Sequence, residues 1–264
     1  MAWTRLYDEA EPQRVNRWLA QNGVCSRRQA EALIAQGLIS IDGVPLADAG
    51  HKIQAGQVLT LADAASARLD GALTVILHKP AGIVSAQPEP GQVPAVRLLT
   101  RAALLGDSPV IPDRDTRLAP VGRLDMDSRG LLMLSEDGVV AKAVIGPASE
   151  LEKEYRVAVM GEVTDRKLDL LRHGLTLDGR QLRPAHVSVM SDQRLVIILK
   201  EGRNRQIRRM CDLVGLKVVD LFRVRVGPIL LGDIPEGRWR VLSPAERVAL
   251  LAVPSGLDRE KAPS

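Results

Sequence analysis

The chain has 264 residues, 45% of them hydrophobic and 26% charged, which is the composition of a soluble globular protein with one large or two smaller domains. No stretch approaches the roughly 18 consecutive apolar residues that a membrane-spanning helix needs, so the sequence excludes an integral membrane protein. The formal net charge is only +4, so any preference for an acidic partner must come from a local patch.

The two cysteines and the N-terminal residues indicate the cellular compartment of the protein. Cys25 and Cys211 are far apart in sequence and fall in different predicted domains, so we expect no structural disulfide and a reducing environment. The N-terminal run MAWTRLYDEAEPQR lacks the apolar core of a secretion signal. The sequence therefore predicts a cytoplasmic protein.

Two short helices are predicted after residues 1–11, which are polar and show no structural pattern. Apolar residues at helical spacing follow Arg14, and Gly23 can end this helix in the left-handed region. Ser26 is a good N-cap for the second helix, and Gln29 three residues later completes a capping box. The two helices are thus predicted to follow each other with a short turn between them.

A β-hairpin is predicted after the second helix. Asp42-Gly43 separates two apolar runs, and an Asp-Gly pair in that position is a strong signal for a two-residue turn. A further strand is predicted at residues 57–61. Together these elements form a compact α+β unit that we place at residues 12–61.

The two predicted helices also carry a set of arginines away from their apolar positions. A helical hairpin with an exposed basic side would explain the arginines alone. The run RVNRWLAQNGVCSRRQAEALIAQGLISIDG, with its two helices and Asp-Gly hairpin, resembles the S4 RNA-binding domain. The resemblance implies RNA contacts from Arg14, Arg17, Ser26, Arg27 and Arg28.

Residues 62–72 are small and polar, and we interpret them as a linker to a second domain at residues 73–252. This domain has many short apolar runs and few helical ones, which predicts a mixed α+β fold with a large, mainly antiparallel sheet. Residues 86–120 are rich in Pro and Gly and predict a long loop or insertion. The predicted strands are 73–78, 131–135, 155–160, 195–199 and 218–226, and the predicted helices are 139–145, 165–172 and 204–214.

Two carboxylates stand in the polar motif VGRLDMDSRGLLMLSEDG at residues 121–138. Asp125 and Asp127 directly precede an apolar strand, which would give a catalytic group a rigid support. The same spacing also fits a tight turn or a cation-binding loop. The residues alone therefore leave a catalytic, a turn-forming and a cation-binding role open.

A second polar cluster, KEGRNRQIRRMCDLVG at residues 200–215, predicts a helix that Asn204 can cap. Seven basic and three acidic residues fall between positions 201 and 226, and such a patch suits phosphate contacts. A solvated helix face would have the same composition, and one arginine can instead pair with a buried carboxylate. The predicted buried side holds Ile207, Met210, Cys211 and Val214, and the predicted basic side holds Arg205, Arg208 and Arg209.

The order of the motifs resembles that of a known enzyme family. After the S4-like unit come HKPAGIVS, VGRLDMDSRGLLMLSEDG, EKEYRV and EGRNRQIRRM, as in bacterial ribosomal RNA pseudouridine synthases of the RsuA type. The pairs Asp127-Ser128 and Met210-Cys211 are most similar to the F branch, which acts on 23S ribosomal RNA. The resemblance spans about residues 12–250.

This resemblance implies a catalytic domain of two α+β halves around a central cleft, with roles for four residues. Asp125 would be the essential carboxylate, acting as nucleophile or base on a flipped-out nucleotide, and Arg208 would pair with it. Arg123 would displace the target base or fill its vacated place, and Tyr155 would pack against the flipped uracil. Further RNA contacts would come from Arg203, Asn204, Arg205 and Arg209.

The implied reaction is the isomerisation of one specific uridine in 23S ribosomal RNA, with 16S ribosomal RNA or a transfer RNA as alternative substrates. A non-catalytic S4 protein that binds ribosomal RNA during assembly is a further alternative, which the presence of Asp125, Tyr155 and Arg208 disfavours. A transfer RNA ligase is disfavoured because the chain has no nucleotide-binding glycine motif. An isomerisation needs no redox or energy source and the histidines lack metal-ligand spacing, so we expect no cofactor and no metal. We expect a monomer.

Overall fold

The computed structural model describes residues 3–113 and 116–253. These residues separate into two units by their internal contacts. One unit contains residues 3–73 together with 135–142, and the other contains the remaining described residues. The segment 135–142 therefore belongs to the N-terminal unit although it lies far along the chain.

The N-terminal unit contains small sheets and three helices. Its main sheet has the strand order β1-β6-β3-β4, and β2 pairs with β5; all of these pairs are antiparallel. The strands are β1 (Trp3–Leu6), β2 (Gln13–Arg14), β3 (Ile39–Ile41), β4 (Val44–Pro45), β5 (Lys52–Ile53) and β6 (Val58–Leu61), and the helices are α1 (Val15–Gln21), α2 (Arg27–Ala35) and α3 (Asp63–Asp70).

The two helices and the hairpin predicted from the sequence are confirmed. The capping box of α2 is complete, because the hydroxyl of Ser26 accepts the Gln29 N–H at 3.2 Å and the Gln29 side chain accepts the Ser26 N–H at 2.9 Å. Asp42 and Gly43 join β3 to β4 with φ values of 50° and 80°, the left-handed conformation that a two-residue hairpin requires.

Two segments of this unit are more ordered than the sequence indicated. Residues 3–6 form β1, whose backbone pairs with β6 from Trp3 opposite Leu61 to Leu6 opposite Val58. Within residues 62–72, interpreted above as a linker, Asp63–Asp70 form α3, which buries Ala65. Both elements depend on partners remote in sequence, so neither has a local apolar pattern that would predict it.

The segment 135–142 packs on the start of α2. Gln29 donates from Nε2 to the carbonyl of Glu136 at 3.1 Å, and Lys142 donates to the carbonyl of Ala20 at 2.7 Å. At Gly138 a Cβ would lie only 2.2 Å from Cβ of Ser26. Because no side chain fits there, glycine is required for this contact.

The second unit is built on a nine-stranded mixed sheet. Seven strands follow the order β13-β14-β10-β15-β9-β7-β17, with β16 paired to β15 and β8 to β9. The strands of this unit are β7 (Thr74–Lys79), β8 (Ala119–Val121), β9 (Arg129–Ser135), β10 (Lys153–Met160), β11 (Thr176–Leu177), β12 (Arg180–Gln181), β13 (His186–Ser191), β14 (Arg194–Leu199), β15 (Lys217–Val226), β16 (Ile229–Leu230) and β17 (Trp239–Val241). β11 and β12 form a separate two-stranded sheet. The helices are α4 (Gly138–Ile145), α5 (Asp165–His173), α6 (Gln206–Leu213) and α7 (Pro244–Leu251); α4 begins in the segment assigned to the N-terminal unit.

The pairing within this sheet confirms the predicted fold class. β10 pairs antiparallel with both β14 and β15, and β7 pairs antiparallel with β17, whereas β9 and β15 run parallel. The middle strands are apolar throughout because they are buried on both faces, as Leu131–Leu134 of β9 show. Strands toward the edge alternate buried and exposed side chains, as in β10. The result is an α+β unit with a large, mainly antiparallel sheet.

The segment 86–120, predicted as a long loop, is partly ordered where it is described. It contains two short 3₁₀ turns, Ala95–Leu98 and Arg101–Ala103, and it buries Ala95 and Leu99. Trp239 of β17 donates to the carbonyl of Thr100 at 2.8 Å. The segment is thus held against the β17 edge of the sheet. The polar residues 254–264 predict a loose tail, and they lie outside the described residues.

Both cysteines are buried free thiols, Cys25 in the N-terminal unit and Cys211 in α6. Burial raises the pKa of each thiol to about 12. They therefore serve as small apolar groups of the core.

Candidate active site

Asp125 lies in the loop between β8 and β9, and the backbone on both sides of it is fixed. The hydroxyl of Ser85 donates to the carbonyl of Leu124 at 2.6 Å and accepts the Leu124 N–H at 2.9 Å. The N–H of Gly82 donates to the carbonyl of Met126 at 2.7 Å. A turn closes from the Ser128 N–H to the Asp125 carbonyl at 3.1 Å. The Asp125 side chain is thus presented from a rigid loop.

Lys79 shapes the turn that supports this loop. Its side chain is fully buried, and Nζ donates to the carbonyls of Pro80 and Ile83, each at 2.7 Å. Burial lowers the pKa of Lys79 to about 8, against the opposing charges of Asp127 and Asp125. A Lys-Pro pair directly after a predicted strand indicates a structural turn, and the contacts of Lys79 agree with that interpretation.

The strand that follows the loop is tied to β15 by a glycine and an arginine. Gly130 has a φ of 109°, and a Cβ there would lie 2.2 Å from the Arg223 carbonyl oxygen. Arg223 is buried, and its guanidinium donates to the carbonyls of Leu131 at 2.8 Å and Gly122 at 2.9 Å. One side chain therefore joins β15, β9 and the start of the loop.

The two carboxylates of the loop contact arginines of the α6 region. Arg205 donates two hydrogen bonds to Asp127, at 3.2 and 3.1 Å, and its Nη1 lies 3.5 Å from Oδ2 of Asp125. Arg208 places Nη2 3.3 Å from Oδ1 of Asp127 and donates to the Asp127 carbonyl at 2.9 Å. Partial burial opposes the charge on Asp127, but the hydrogen bonds from Arg205 and the charge of Arg208 outweigh it and lower the pKa of Asp127.

The pairing implied for Arg208 is therefore wrong, because its carboxylate partner is Asp127 and not Asp125. Arg208 was also expected to project from the basic side of the helix, whereas it is 9% exposed. Its guanidinium pairs with Asp127 and donates to the carbonyl of Val218 at 3.5 Å and to the hydroxyl of Ser128 at 3.2 Å. These partners offset the cost of burying its charge. Within the described residues its Nε has no hydrogen-bond partner.

The start of α6 also differs from the prediction. Arg205, not Asn204, occupies the N-cap position, in the left-handed conformation with φ 48° and ψ 33°, and its side chain makes no capping bond. The Gln206 side chain accepts the Arg203 N–H at 2.9 Å, which fixes the backbone just before the helix. The predicted buried stripe of this helix, including Ile207 and Met210, is confirmed.

A cavity of about 300 Å³ brings several of the predicted site residues together. Its lining comes from three segments, Val84–Ala86, Arg123–Met126 and Gly202–Arg205. Arg123, Asp125, Arg203, Asn204 and Arg205 thus share one concave site. The carboxylate of Asp125 is 28% exposed, so it is accessible there and still partly shielded.

Three other predicted residues of this unit do not line the cavity within the part of the chain that the structure describes. Tyr155 is buried in β10, opposite Ile197 on one side and Arg223 on the other. Arg208 is buried, with its guanidinium on Asp127 and Ser128. Arg209 forms a two-bond ion pair with Asp178, at 3.0 and 2.6 Å.

Arg203 reaches in the same direction as Arg209, toward the β11–β12 hairpin. Its guanidinium donates to the carbonyls of Leu177, Arg180 and Gln181, at 2.9, 3.2 and 3.0 Å. Arg203 and Arg209 thus hold the hairpin against the start of α6. The resemblance implied RNA contacts for both residues, and the sequence carries no information on these internal partners.

In the N-terminal unit, the arginines predicted to contact RNA are exposed. Arg14 directly precedes α1, Arg17 lies on it, and Arg27 and Arg28 form the first turn of α2. Ser26 differs from them, because its hydroxyl caps α2 and its side chain packs against Gly138. Ser26 therefore has a structural role at the start of α2.

The described part of the chain holds neither a metal-ligand cluster nor a helix that could span a membrane. Among residues 3–113 and 116–253 no group of three or more His, Cys, Asp or Glu side chains is arranged to hold a metal ion. No helix within the same ranges is both long and apolar enough to cross a membrane.

Comparison with known proteins assigns the chain to a family. The family of RNA pseudouridylate synthases matches residues 73–213, the segment that holds both Asp125 and α6, and the S4 domain matches residues 13–59. The chain belongs to the RNA pseudouridylate synthase family. It is accordingly an isomerase, and the suspected family is confirmed.

Several synthases are similar over most of their length. The dual-specificity RNA pseudouridine synthase RluF of Salmonella typhi is 31% identical, over 95% of this chain and 82% of the relative. The ribosomal large subunit pseudouridine synthase B of Yersinia pestis is 32% identical, over 87% of this chain and 72% of the relative. A crystal structure of a pseudouridylate synthase matches with a TM-score of 0.61 and 24% identity, over 90% of this chain and 99% of that one, which supports the synthase fold.

Sequence reasoning missed two residues of this synthase that build the site. Ser85 and Arg223 hold the Asp125 loop but contribute nothing to the motif that carries Asp125. The sequence could have indicated the buried position of Arg223, because Arg223 is two residues from Leu221 and therefore shares its buried face of β15. A charged residue at such a position needs internal partners.

Proposed function

We propose that this synthase converts uridine to pseudouridine in ribosomal RNA, with Asp125 as the reacting carboxylate. The placement of Asp125 in a cavity with Arg123 and Arg205 is the observation that supports this most directly. The loop that carries it is held by Ser85, so the carboxylate keeps one position while a nucleotide enters.

The reaction breaks the C1′–N1 bond of uridine, turns the uracil and forms a C1′–C5 bond. N1 gains a proton and C5 loses one, so the product is an isomer and no oxidant or energy source is consumed. The reacting atoms are inaccessible in a stacked base, so the uridine has to leave the stack. A cavity of about 300 Å³ is at the small end for ligand pockets and suits a single base.

Asp125 can serve this reaction as a nucleophile toward the sugar or the uracil, or as a base toward the ribose. Arg123 lines the cavity with an exposed side chain and can occupy the place that the base leaves. Tyr155 does not line this cavity, and its proposed contact with the uracil requires the base to reach toward β10.

The favoured RNA is the 23S species. The name of synthase B refers to the ribosomal large subunit, and that relative covers most of this chain. The RluF relative is named as having dual specificity, so a second RNA belongs in any test. The 16S species and transfer RNA are the alternatives.

The test is the substitution Asp125→Asn, which preserves shape and removes the charge. We expect tritium release from 5-tritiated uridine in 23S transcripts to fall by at least about 1,000-fold, because the reacting group is lost, with RNA affinity nearly unchanged. Asp192→Asn in the β13–β14 turn is the control, since Asp192 is exposed and outside the cavity. Substantial turnover by the Asp125 variant would contradict the proposal. Assays on 16S and transfer RNA transcripts decide the substrate.

A further inference from the structure

Of the two carboxylates in the loop between β8 and β9, Asp127 makes more and shorter contacts with arginine side chains than Asp125 does. It receives both hydrogen bonds of the Arg205 fork, at 3.2 and 3.1 Å, whereas Asp125 is 3.5 Å from the same guanidinium. Arg208 approaches Asp127 as well, at 3.3 Å. Asp127 does not line the cavity within the described residues, so it is not placed to touch a substrate there.

We infer that Asp127 is a positioning residue for the isomerisation: by holding Arg205 in a two-bond fork, it keeps this guanidinium beside Asp125 without letting it pair fully with the reacting carboxylate. The inference rests on the proposed function, in which Asp125 reacts. It assigns to Asp127 more than the turn-forming role that its sequence context allows.

Arg205 needs such a partner because little else fixes its side chain. The residue sits at the N-cap of α6 in a left-handed conformation, makes no capping bond and has a side chain that is 44% exposed. Within the described residues, the carboxylates of Asp125 and Asp127 are the acidic groups within 4 Å of its guanidinium, whereas Asp212 acts on it only at longer range. Without Asp127, the two-bond fork would therefore form on Asp125.

A fork on Asp125 would oppose the reaction in two ways. A carboxylate that accepts two charge-assisted hydrogen bonds is a weaker nucleophile and a weaker base, because its charge is already stabilised. The guanidinium would also move toward the cavity that the uracil has to enter. Asp127 prevents both by offering the better-placed partner.

Asp127 is itself held by Arg208, which does not line the cavity within the part of the chain that the structure describes. Arg208 donates to its backbone carbonyl at 2.9 Å and to the neighbouring hydroxyl of Ser128 at 3.2 Å. The contacts thus form a series from the buried Arg208 through Asp127 and Arg205 to Asp125. Since Arg208 is buried and fixed, the series gives Arg205 a defined position at the cavity edge.

The decisive variant is Asp127→Asn in the full-length protein. We expect the single-turnover rate at saturating RNA to fall roughly 10- to 100-fold, as expected for displacement of a group beside the reacting atoms, while the RNA concentration at half-maximal rate changes less than about threefold. Asp127→Glu keeps the charge and should recover part of the rate. Asp220→Asn is the matched control, because it removes a similar half-exposed two-bond pair, with Arg129, just after the loop. Its rate should stay within about twofold of wild type.

A double-mutant cycle identifies the route of the effect. If Asp127 acts through Arg205, then Asp127→Asn should cost less than about twofold once Arg205→Gln is present. An equal cost in both backgrounds, or a wild-type rate for Asp127→Asn alone, would overturn the inference. If Asp127→Asn does not fold, as judged by circular dichroism, the cycle run with Asp127→Glu decides: an effect of equal size in both Arg205 backgrounds would reject the inference. Retained activity of Asp125→Asn would instead reject the proposed function itself.

Discussion

The buried ammonium group of Lys79 makes the stability of the catalytic unit depend on pH. In the unfolded chain its pKa is the ordinary 10.5, and burial lowers it to about 8 in the folded protein. Between these values the unfolded chain binds a proton that the folded chain has lost. The free energy of unfolding contributed by Lys79 therefore rises with pH from about 8 to 10.5, by up to about 3 kcal/mol, and is flat below this window.

The comparison that isolates this effect is wild type against Lys79→Met. The difference in unfolding free energy should shift in favour of the wild type as the pH rises through the window. The measurement is urea unfolding followed by tryptophan fluorescence, with Trp3 and Trp18 replaced by Phe so that Trp239 reports on the second unit. Other titrating groups, such as Lys153 with its burial-lowered pKa, act in both proteins and cancel. Parallel pH profiles for the two proteins would show that Lys79 does not titrate this way.

At the scale of elements, the parallel contact between β9 and β15 depends on Gly130. Its Cβ would overlap the backbone of Arg223 in a conformation with φ 109°, so Gly130→Ala should cost more than about 3 kcal/mol or prevent folding. Gly179 provides the control, because it has φ 71° but a Cβ added there would meet nothing within 4 Å. Gly179→Ala should cost only about 1 kcal/mol, from strain alone. Equal losses of thermal stability in the two variants would contradict the close approach.

The strands and helices that the sequence predicted for the second unit agree with the structure to within about two residues, because their side chains alternate or repeat locally. The sequence did not predict β8, β11, β12, β13, β16, β17 or α7. β9 was expected at 131–135 and runs from Arg129 to Ser135, and α5 was expected at 165–172 and runs from Asp165 to His173. β1 and α3 were not predicted, since they owe their structure to β6 and to packing in the N-terminal unit. A single-sequence pattern cannot contain such remote partners.

The sequence predicted which segments form the candidate site, but it did not predict which arginine pairs with which carboxylate. The motif around Asp125 and the basic start of α6 were both identified, and the cavity joins them. The partner of Arg208 was not predictable, because a helix places residues 205, 208 and 209 near one another and only the loop position decides which one is buried. Likewise, the left-handed N-cap at Arg205 has no sequence signal of the kind that Gly or Asn would give.

At the scale of the whole molecule, we expect the N-terminal unit to supply electrostatic affinity and little of the chemistry. Replacing Arg14, Arg17, Arg27 and Arg28 by Gln should weaken RNA binding and reduce the slope of log affinity against log salt. Each lost phosphate contact lowers that slope by about 0.7–0.9, so the change should approach about 3. The single-turnover rate at saturating RNA should be preserved, because Asp125 and its loop are unchanged.

Binding titrations across a series of salt concentrations measure this effect. A charge-matched control replaces four exposed arginines outside the N-terminal unit, Arg97, Arg101, Arg117 and Arg166, by Gln. An unchanged salt slope in the N-terminal variant, or an equal change in the control, would mean that this unit is not the main phosphate-binding surface.

The packing of residues 135–142 on α2 also has a consequence for synthesis of the chain. Ser26 and Gln29 are translated early, but Glu136 and Gly138, which cover them, leave the ribosome only after about half of the 264 residues have been made. At translation rates of about 5–20 residues per second, the start of α2 stays uncovered for several seconds. The N-terminal unit can therefore complete its fold only late in synthesis, after the ribosome has passed the Asp125 loop and the segment that follows it.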